Sequence, residues 1–94
     1  MLIVTGTARI DPLSRAEFIA AATEITVAAR EDDGCRSYGF YADLTDTDTV
    51  VSIEIWRDRS ALEEHMTHTH TQNFLAVVPD LIVGEPEMSA YDVQ

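Results

Sequence analysis

Residues 54–75, EIWRDRSALEEHMTHTHTQNFL, constrain the fold more than any other stretch of this chain. They contain the end of a strand, a sharp turn, and a helix with three histidines. The β-branched and aromatic run at 49–56 predicts the strand, because its residues alternate between two faces. One face carries Val51, Ile53 and Ile55, and the other carries Val50, Ser52, Glu54 and Trp56. A mixed face of this kind usually lies toward water, but Trp56 and Val50 favour at least partial cover.

Ser60 and Glu63 predict the start of the helix. A serine followed three residues later by a glutamate forms a capping box, in which each side chain accepts from a backbone N–H of the other. His65 then lies four residues after Ala61 and three after Leu62, so it borders the apolar stripe of the helix. Two interpretations stay open for His65: a histidine at the edge of the core, paired with a carboxylate or carbonyl, or a functional histidine.

The other segments complete a β-α-β-β-α-β order. Asp11-Pro12 is typical of a helix start, and the acids at 31–33 with Gly34 end that helix in what we expect to be a solvated loop. The predicted strands are 2–10, 36–43, 49–56 and 88–93, and the predicted helices are 11–30, the one from Ser60, and its continuation or restart at 72–78. A turn is predicted at 84–86. The pattern predicts one α+β domain over residues 1–94, with a ferredoxin-like four-stranded antiparallel sheet.

The charge balance excludes several partners. Seventeen acidic residues stand against six arginines and no lysine, which gives a formal charge of −11. Such a chain repels phosphate, so we expect neither nucleic-acid binding nor attachment to anionic membranes. The single cysteine, Cys35, excludes an internal disulfide and fits a reducing compartment. With no long apolar run and no basic leader, the expected location is cytoplasmic.

Two short motifs stand out in the middle of the chain. The first motif begins with Glu54-x-Trp56, continues with Ala61-Leu62-x-x-His65, and ends with either His68 or His70 and then Phe74. The second motif is Gly34-Cys35-x-x-Tyr38-x-Phe40. Together they resemble the antibiotic biosynthesis monooxygenase family of dimeric α+β barrel proteins, and the resemblance covers essentially the whole chain. It implies a homodimer in which two four-stranded sheets pack face to face.

The resemblance also implies a site. The family includes enzymes that oxidise phenolic or quinol substrates with dioxygen, so we expect a small aromatic substrate, dioxygen and no cofactor. Our hypothesis is that His65 takes or guides a proton, with Glu54 or Tyr38 as its hydrogen-bonding partner. The substrate would be bound by Phe40, Trp56, Phe74 and Thr7. Plain core packing is the alternative for the four aromatic residues Tyr38, Phe40, Trp56 and Phe74.

Three functions compete on this scaffold. The first is a cofactor-independent monooxygenase acting on a phenol, anthrone or quinol; the second is an isomerase, lyase or cyclase that uses His65 for proton transfer; the third is a non-catalytic binding protein. A haem-degrading branch of the family uses an asparagine, a tryptophan and a histidine where this chain has Thr7, His65 and Leu75. Haem oxygenase activity is therefore not expected.

No metal site is expected. His65 and His68 lie three residues apart and could reach one ion, but His70 points elsewhere on an intact helix, and no acid or cysteine lies at a familiar ligand spacing. The spaced aspartates in loop 44–48 lack the glycine and terminal glutamate of a calcium loop, so an ordinary turn is predicted there.

Overall fold

Four strands and three α-helices make up the computed structural model, which describes residues 1–94. In chain order they are β1 (Leu2–Ile10), α1 (Arg15–Ala29), β2 (Cys35–Ala42), β3 (Thr49–Trp56), α2 (Arg59–Thr67), α3 (Thr69–Val77) and β4 (Ile82–Asp92). Short 3-10 turns lie at Pro12–Ser14 and Val78–Asp80. The strands form one antiparallel sheet in the order β2-β3-β1-β4, which confirms the predicted ferredoxin-like α+β fold. None of the helices has the length and apolar character needed to span a bilayer.

The helices cover the sheet face that carries Glu54 and Trp56. Both residues are buried with Val50, whereas Val51 and Ile53 on the opposite face are partly exposed. The prediction that this mixed face is at least partly covered is confirmed, because helical residues supply it with apolar partners. One core cluster joins both layers: Leu2, Val4, Ile25, Ala29, Tyr38, Trp56 and Ala61.

The start of α2 differs from the prediction. The helix begins at Arg59, and the carboxylate of Asp58 caps it by accepting from the backbone N–H of Ala61 at 2.9 Å. Asp58 therefore occupies the cap, and the capping box predicted for Ser60 and Glu63 is wrong. An aspartate at the cap also places negative charge beside the positive end of the helix dipole.

The last strand is longer than predicted. β4 pairs with β1 from Ile82 to Asp92, where the sequence predicted a turn at 84–86 and a strand from Met88. The pairing shifts register between Thr7 and Arg9, and Gly84 has a φ of 73°. The glycine thus lets the strand pass through an irregularity without leaving the sheet.

Candidate functional site

An apolar cavity of about 430 Å³ lies between the covered sheet face and the helices. Fourteen of its 21 lining residues are hydrophobic, so it suits a ligand that is mostly hydrocarbon. Three groups able to exchange protons line it: Tyr38 on β2, Glu54 on β3 and His65 on α2. Neighbouring β2 and β3 pair Tyr38 directly with Glu54, and α2 brings His65 down onto the same face.

His65 is held rigidly at one wall of this cavity. Its side chain is only 2% exposed. The imidazole centroid lies 4.6 Å from that of Trp56 and 5.6 Å from that of Tyr38. The Thr71 hydroxyl lies 3.3 Å from Nδ1 and 3.4 Å from Nε2, and these nearly equal distances direct it at neither nitrogen. Packing therefore fixes the ring, and the directional bond comes from another residue.

That bond comes from Asp32, in the loop after α1; the prediction that Glu54 or Tyr38 is the hydrogen-bonding partner of His65 is wrong, because neither side chain bonds it. The Asp32 carboxylate accepts from His65 Nδ1 at 2.7 Å, from His70 Nε2 at 2.9 Å and from His68 Nδ1 at 3.0 Å. Its side chain is 7% exposed, so the expectation of a solvated loop is wrong for this residue. We call Asp32, His65, His68 and His70 the carboxylate–histidine cluster.

A break in the second helix brings His70 into the cluster. On a continuous helix His70 would be rotated about 200° from His68. Instead His68 has an extended backbone (φ −73°, ψ 149°) that ends α2 and starts α3 at Thr69. The Gln72 side chain stabilises the break by donating to the Met66 carbonyl at 2.6 Å. The prediction that His70 points elsewhere is wrong, because it assumed an intact helix.

Gly34 positions the loop that carries Asp32. It has a φ of 78°, and its carbonyl accepts from the Arg57 N–H at 2.8 Å. A Cβ at this position would lie 2.6 Å from the Cβ of Ala61. Only glycine therefore lets the loop approach α2 closely enough for Asp32 to reach His65.

The electrostatics of the pair define its protonation. Burial raises the pKa of Asp32, but hydrogen bonds from His65 and His70 and the nearby imidazole charges outweigh it, so the pKa lies below its ordinary value. Burial lowers the pKa of His65, and Asp32 opposes that shift only in part. At neutral pH an ionised Asp32 accepts from Nδ1–H of a neutral His65. The lone pair of His65 Nε2 is then free to take a proton.

Glu54 and Tyr38 form the second polar group of the cavity. Trp56 Nε1–H donates to Glu54 Oε1 at 3.0 Å. Burial raises the pKa of Glu54, and this hydrogen bond offsets part of the rise. Burial, followed by the Glu54 charge, raises the pKa of Tyr38. No buried polar atom lacks a partner, so the Tyr38 hydroxyl, which makes no hydrogen bond within the chain, is open to the cavity.

The residues predicted to bind substrate divide into two groups. Phe40, Phe74 and Thr7 line the cavity, Thr7 as an exposed residue. Trp56 does not line it: the indole is fully buried behind His65 and orients Glu54 instead. Phe18 of α1 also lines the cavity, although it is not among the predicted substrate-binding residues; its ring meets that of Phe40 edge-on at 6.0 Å between centroids. Its place in the apolar band of α1, four residues before Ala22, was the available signal.

The fold and the cavity define a ferredoxin-like protein built around one apolar pocket. Residues 1–77 match the antibiotic biosynthesis monooxygenase family. The chain belongs to that family, which confirms the resemblance.

Relatives support the same assignment. The chain is 32% identical to the uncharacterized protein sll1783 of Synechocystis over 98% of its own length, and spans 63% of that protein. It is 35% identical to Rv0793 of Mycobacterium tuberculosis over 76% of this chain and 69% of that protein. The solved structure of Rv0793 superposes with a TM-score of 0.92, covering 99% of this chain and 94% of that one at 27% identity. A conserved protein from Methanosarcina mazei Go1 shares the fold, with a TM-score of 0.94 at 20% identity over 99% of this chain and 92% of that one.

Proposed function

We propose that this protein is a cofactor-independent monooxygenase that oxidises a phenol, anthrone or quinol-type substrate with dioxygen. The observation that carries the proposal is His65, which lines an apolar cavity while Asp32 holds its Nδ1 at 2.7 Å. Because Nδ1 keeps its proton on the Asp32 side, Nε2 acts as the base toward a bound substrate. Asp32 is a positioning residue here and touches no substrate.

The chemistry needs little from the protein beyond proton transfer and exclusion of water. An anthrone that loses a proton to His65 becomes an electron-rich anion, and dioxygen adds to its carbon to form a hydroperoxide. Loss of water converts the original CH₂ into a carbonyl, so one oxygen atom enters the product and the other leaves as water. The four electrons that reduce dioxygen come from the substrate, which balances the reaction without a cofactor. The apolar lining shields these intermediates from solvent.

Glu54 and Tyr38 suit the oxygen end of the substrate. Burial raises the pKa of both groups; the Tyr38 hydroxyl can donate a hydrogen bond to the substrate, and the Glu54 carboxylate already accepts one from Trp56 Nε1–H. A phenolic or carbonyl oxygen placed beside them would gain a donor as its negative charge develops. Phe40 and Phe74 lie 5.6 Å apart between ring centroids and would pack against the substrate ring.

An isomerase, lyase or cyclase is the second candidate, because a histidine held by a carboxylate serves proton transfer without dioxygen equally well. Oxygen dependence separates the two functions. The third candidate, a non-catalytic binding protein, would be favoured if the pocket were filled by its own side chains, and the open cavity argues against that condition. We also propose that the protein forms a homodimer in the cytoplasm through the sheet face that the helices leave uncovered. Ile3, Ile53 and Ile55 make that face apolar.

The test is oxygen uptake by chelator-treated protein with a panel of naphthols, anthrones and quinols. Uptake should persist without metal and disappear in His65→Ala. Phe74→Ala is the matched control, because it also enlarges the cavity but leaves the base in place; it should mainly raise KM. Equal loss of turnover in both variants, or full activity in His65→Ala, would refute the role of His65. Turnover that needs no dioxygen would favour the second candidate.

A further inference from the structure

Three ligand atoms of the carboxylate–histidine cluster converge on one point. Asp32 Oδ2, His65 Nδ1 and His70 Nε2 all lie within 4.8 Å of one another. The two nitrogens are 2.7 Å and 2.9 Å from the oxygen. Two imidazoles and one carboxylate are a donor set that Zn²⁺ uses in proteins, with a fourth position open. His68 stands apart, because its Nδ1 contacts the other carboxylate oxygen, Oδ1.

We propose that Asp32, His65 and His70 form a binding site for a divalent transition metal ion such as Zn²⁺. The ion would replace the proton that now lies between Asp32 and each of the two imidazoles. The net charge of −11 favours the approach of a cation over that of an anion.

Metal binding requires the three ligand atoms to adjust their separations. Tetrahedral zinc with bonds of about 2.0–2.1 Å separates its ligand atoms by roughly 3.3 Å. Each nitrogen must therefore lie about half an ångström further from the Asp32 oxygen, and the two nitrogens, which lie within 4.8 Å of each other, must reach the same spacing. The three ligands lie on separate segments, namely the 31–34 loop, α2 and α3. Because packing fixes the His65 ring, the adjustment falls on Asp32 and His70. His70 is 23% exposed and gives an ion access from solvent, and water can fill the fourth position.

Metal binding has a consequence for the same site, and this step rests on the proposed function. An ion on Nδ1 of a neutral His65 leaves the ring proton on Nε2, the atom that would act as base. The bound ion also removes the hydrogen bond by which Asp32 holds the opposite tautomer. The metal-loaded protein is therefore the inactive form, and metal-free protein is the active one.

The experiment is calorimetric titration of chelator-treated protein with Zn²⁺ at neutral pH, repeated with Asp32→Asn, His70→Gln and His68→Gln. His70→Gln and His68→Gln are a matched pair, because in each variant glutamine keeps an N–H group that can donate to Asp32 but is a poor zinc ligand. Wild-type protein should bind one ion per chain. His70→Gln and Asp32→Asn should each weaken binding by more than about 100-fold, and His68→Gln by about tenfold or less. Substitution with Co²⁺ should give a visible spectrum of four-coordinate type that His70→Gln loses.

Other outcomes overturn the inference. No binding, or equal weakening by His68→Gln and His70→Gln with no effect of Asp32→Asn, would leave only adventitious metal on surface histidines. The two proposals also fail separately. Absence of zinc binding leaves oxygen uptake by the metal-free protein intact, and absence of oxygen uptake leaves the calorimetric result intact.

Discussion

Replacing Asp32 by asparagine tests the central feature of the site at almost constant volume. The carboxylate accepts three hydrogen bonds, and the amide can accept at only one atom while its NH₂ meets the remaining imidazole N–H groups. His68 and His70 are 33% and 23% exposed, so water can replace their lost bonds. His65 is 2% exposed and has no such replacement.

The size of the effect follows from that difference in exposure. A hydrogen bond to a charged group contributes about 1.5–3 kcal/mol and one between neutral groups about 0.5–1.5 kcal/mol, so exchange of the charged His65 bond for a neutral one, with small contributions from the other two, should lower the free energy of unfolding by about 1–2 kcal/mol. Urea denaturation at neutral pH measures it. Asp33→Asn is the matched control, because Asp33 is the next residue but is 76% exposed, and should change stability by no more than about 0.5 kcal/mol. Equal effects of the two variants would refute the importance of the Asp32–His65 bond.

The same variant separates a structural from a catalytic role. Asparagine can donate its amide N–H to Nδ1 of His65, which then carries its proton on Nε2 and cannot act as base. In serine proteases an aspartate-to-asparagine change with this effect lowers kcat by roughly 10⁴-fold. Nitrogen NMR of the His65 ring reports the tautomer, and oxygen uptake reports the rate. A changed tautomer with an unchanged rate would exclude His65 Nε2 as the base.

Three further predictions concern the cavity, the loop and the open sheet face. Burial raises the pKa of Glu54 in the folded protein, so the unfolded chain releases this proton first and the free energy of unfolding falls as pH rises above 4.5. Glu54→Gln should remove this pH dependence and be more stable than wild type at neutral pH, as measured by urea denaturation. Gly34→Ala should lower the free energy of unfolding by about 2–5 kcal/mol, because the left-handed backbone is strained for alanine and its Cβ would lie 2.6 Å from that of Ala61. Gly84→Ala, whose Cβ would have nothing within 4 Å, should lower it by only about 1–2 kcal/mol. Similar decreases in the two variants would refute the close-approach argument. Ile53→Glu should convert the expected homodimer to monomer in sedimentation, and a wild-type monomer at micromolar concentration would refute the dimer itself.

The fold could be predicted because its signals are local. Alternation of apolar residues identified the central strand, and the Asp11-Pro12 start identified the first helix. The same alternation placed Tyr38, Glu54 and Phe40 on strand faces, and the pairing of β2 with β3 brings them together. The sequence predicts that Trp56 binds substrate, because an aromatic residue near a histidine fits either the lining of a pocket or the layer behind it. Sequence alone does not distinguish a ring that lines a cavity from one that supports its wall.

Asp32 was missed because its role depends on two non-local events. It is 33 residues before His65, and it meets all three histidines only because the helix breaks at His68 and Gly34 lets the loop approach Ala61. The helix break has no strong local signature, since His68 is neither glycine nor proline, and Gly34 marks a turn without indicating which residue its loop approaches. A spacing rule for metal ligands along one helix therefore finds no carboxylate, although the folded chain supplies one.

A weaker signal for Asp32 was nevertheless present. Three acids at the C-terminal end of α1 are electrostatically unfavourable there, because the helix dipole already places negative charge at that end. Acidic residues that destabilise the end of their own helix require a compensating interaction elsewhere in the fold, and such local conflicts are expected at functional sites. In this chain three imidazole N–H groups supply the compensation at Asp32, while Asp33 remains exposed and pairs with Arg57 at 3.5 Å. The unfavourable run thus marked the loop, but only the fold determines which of its acids meets the histidines.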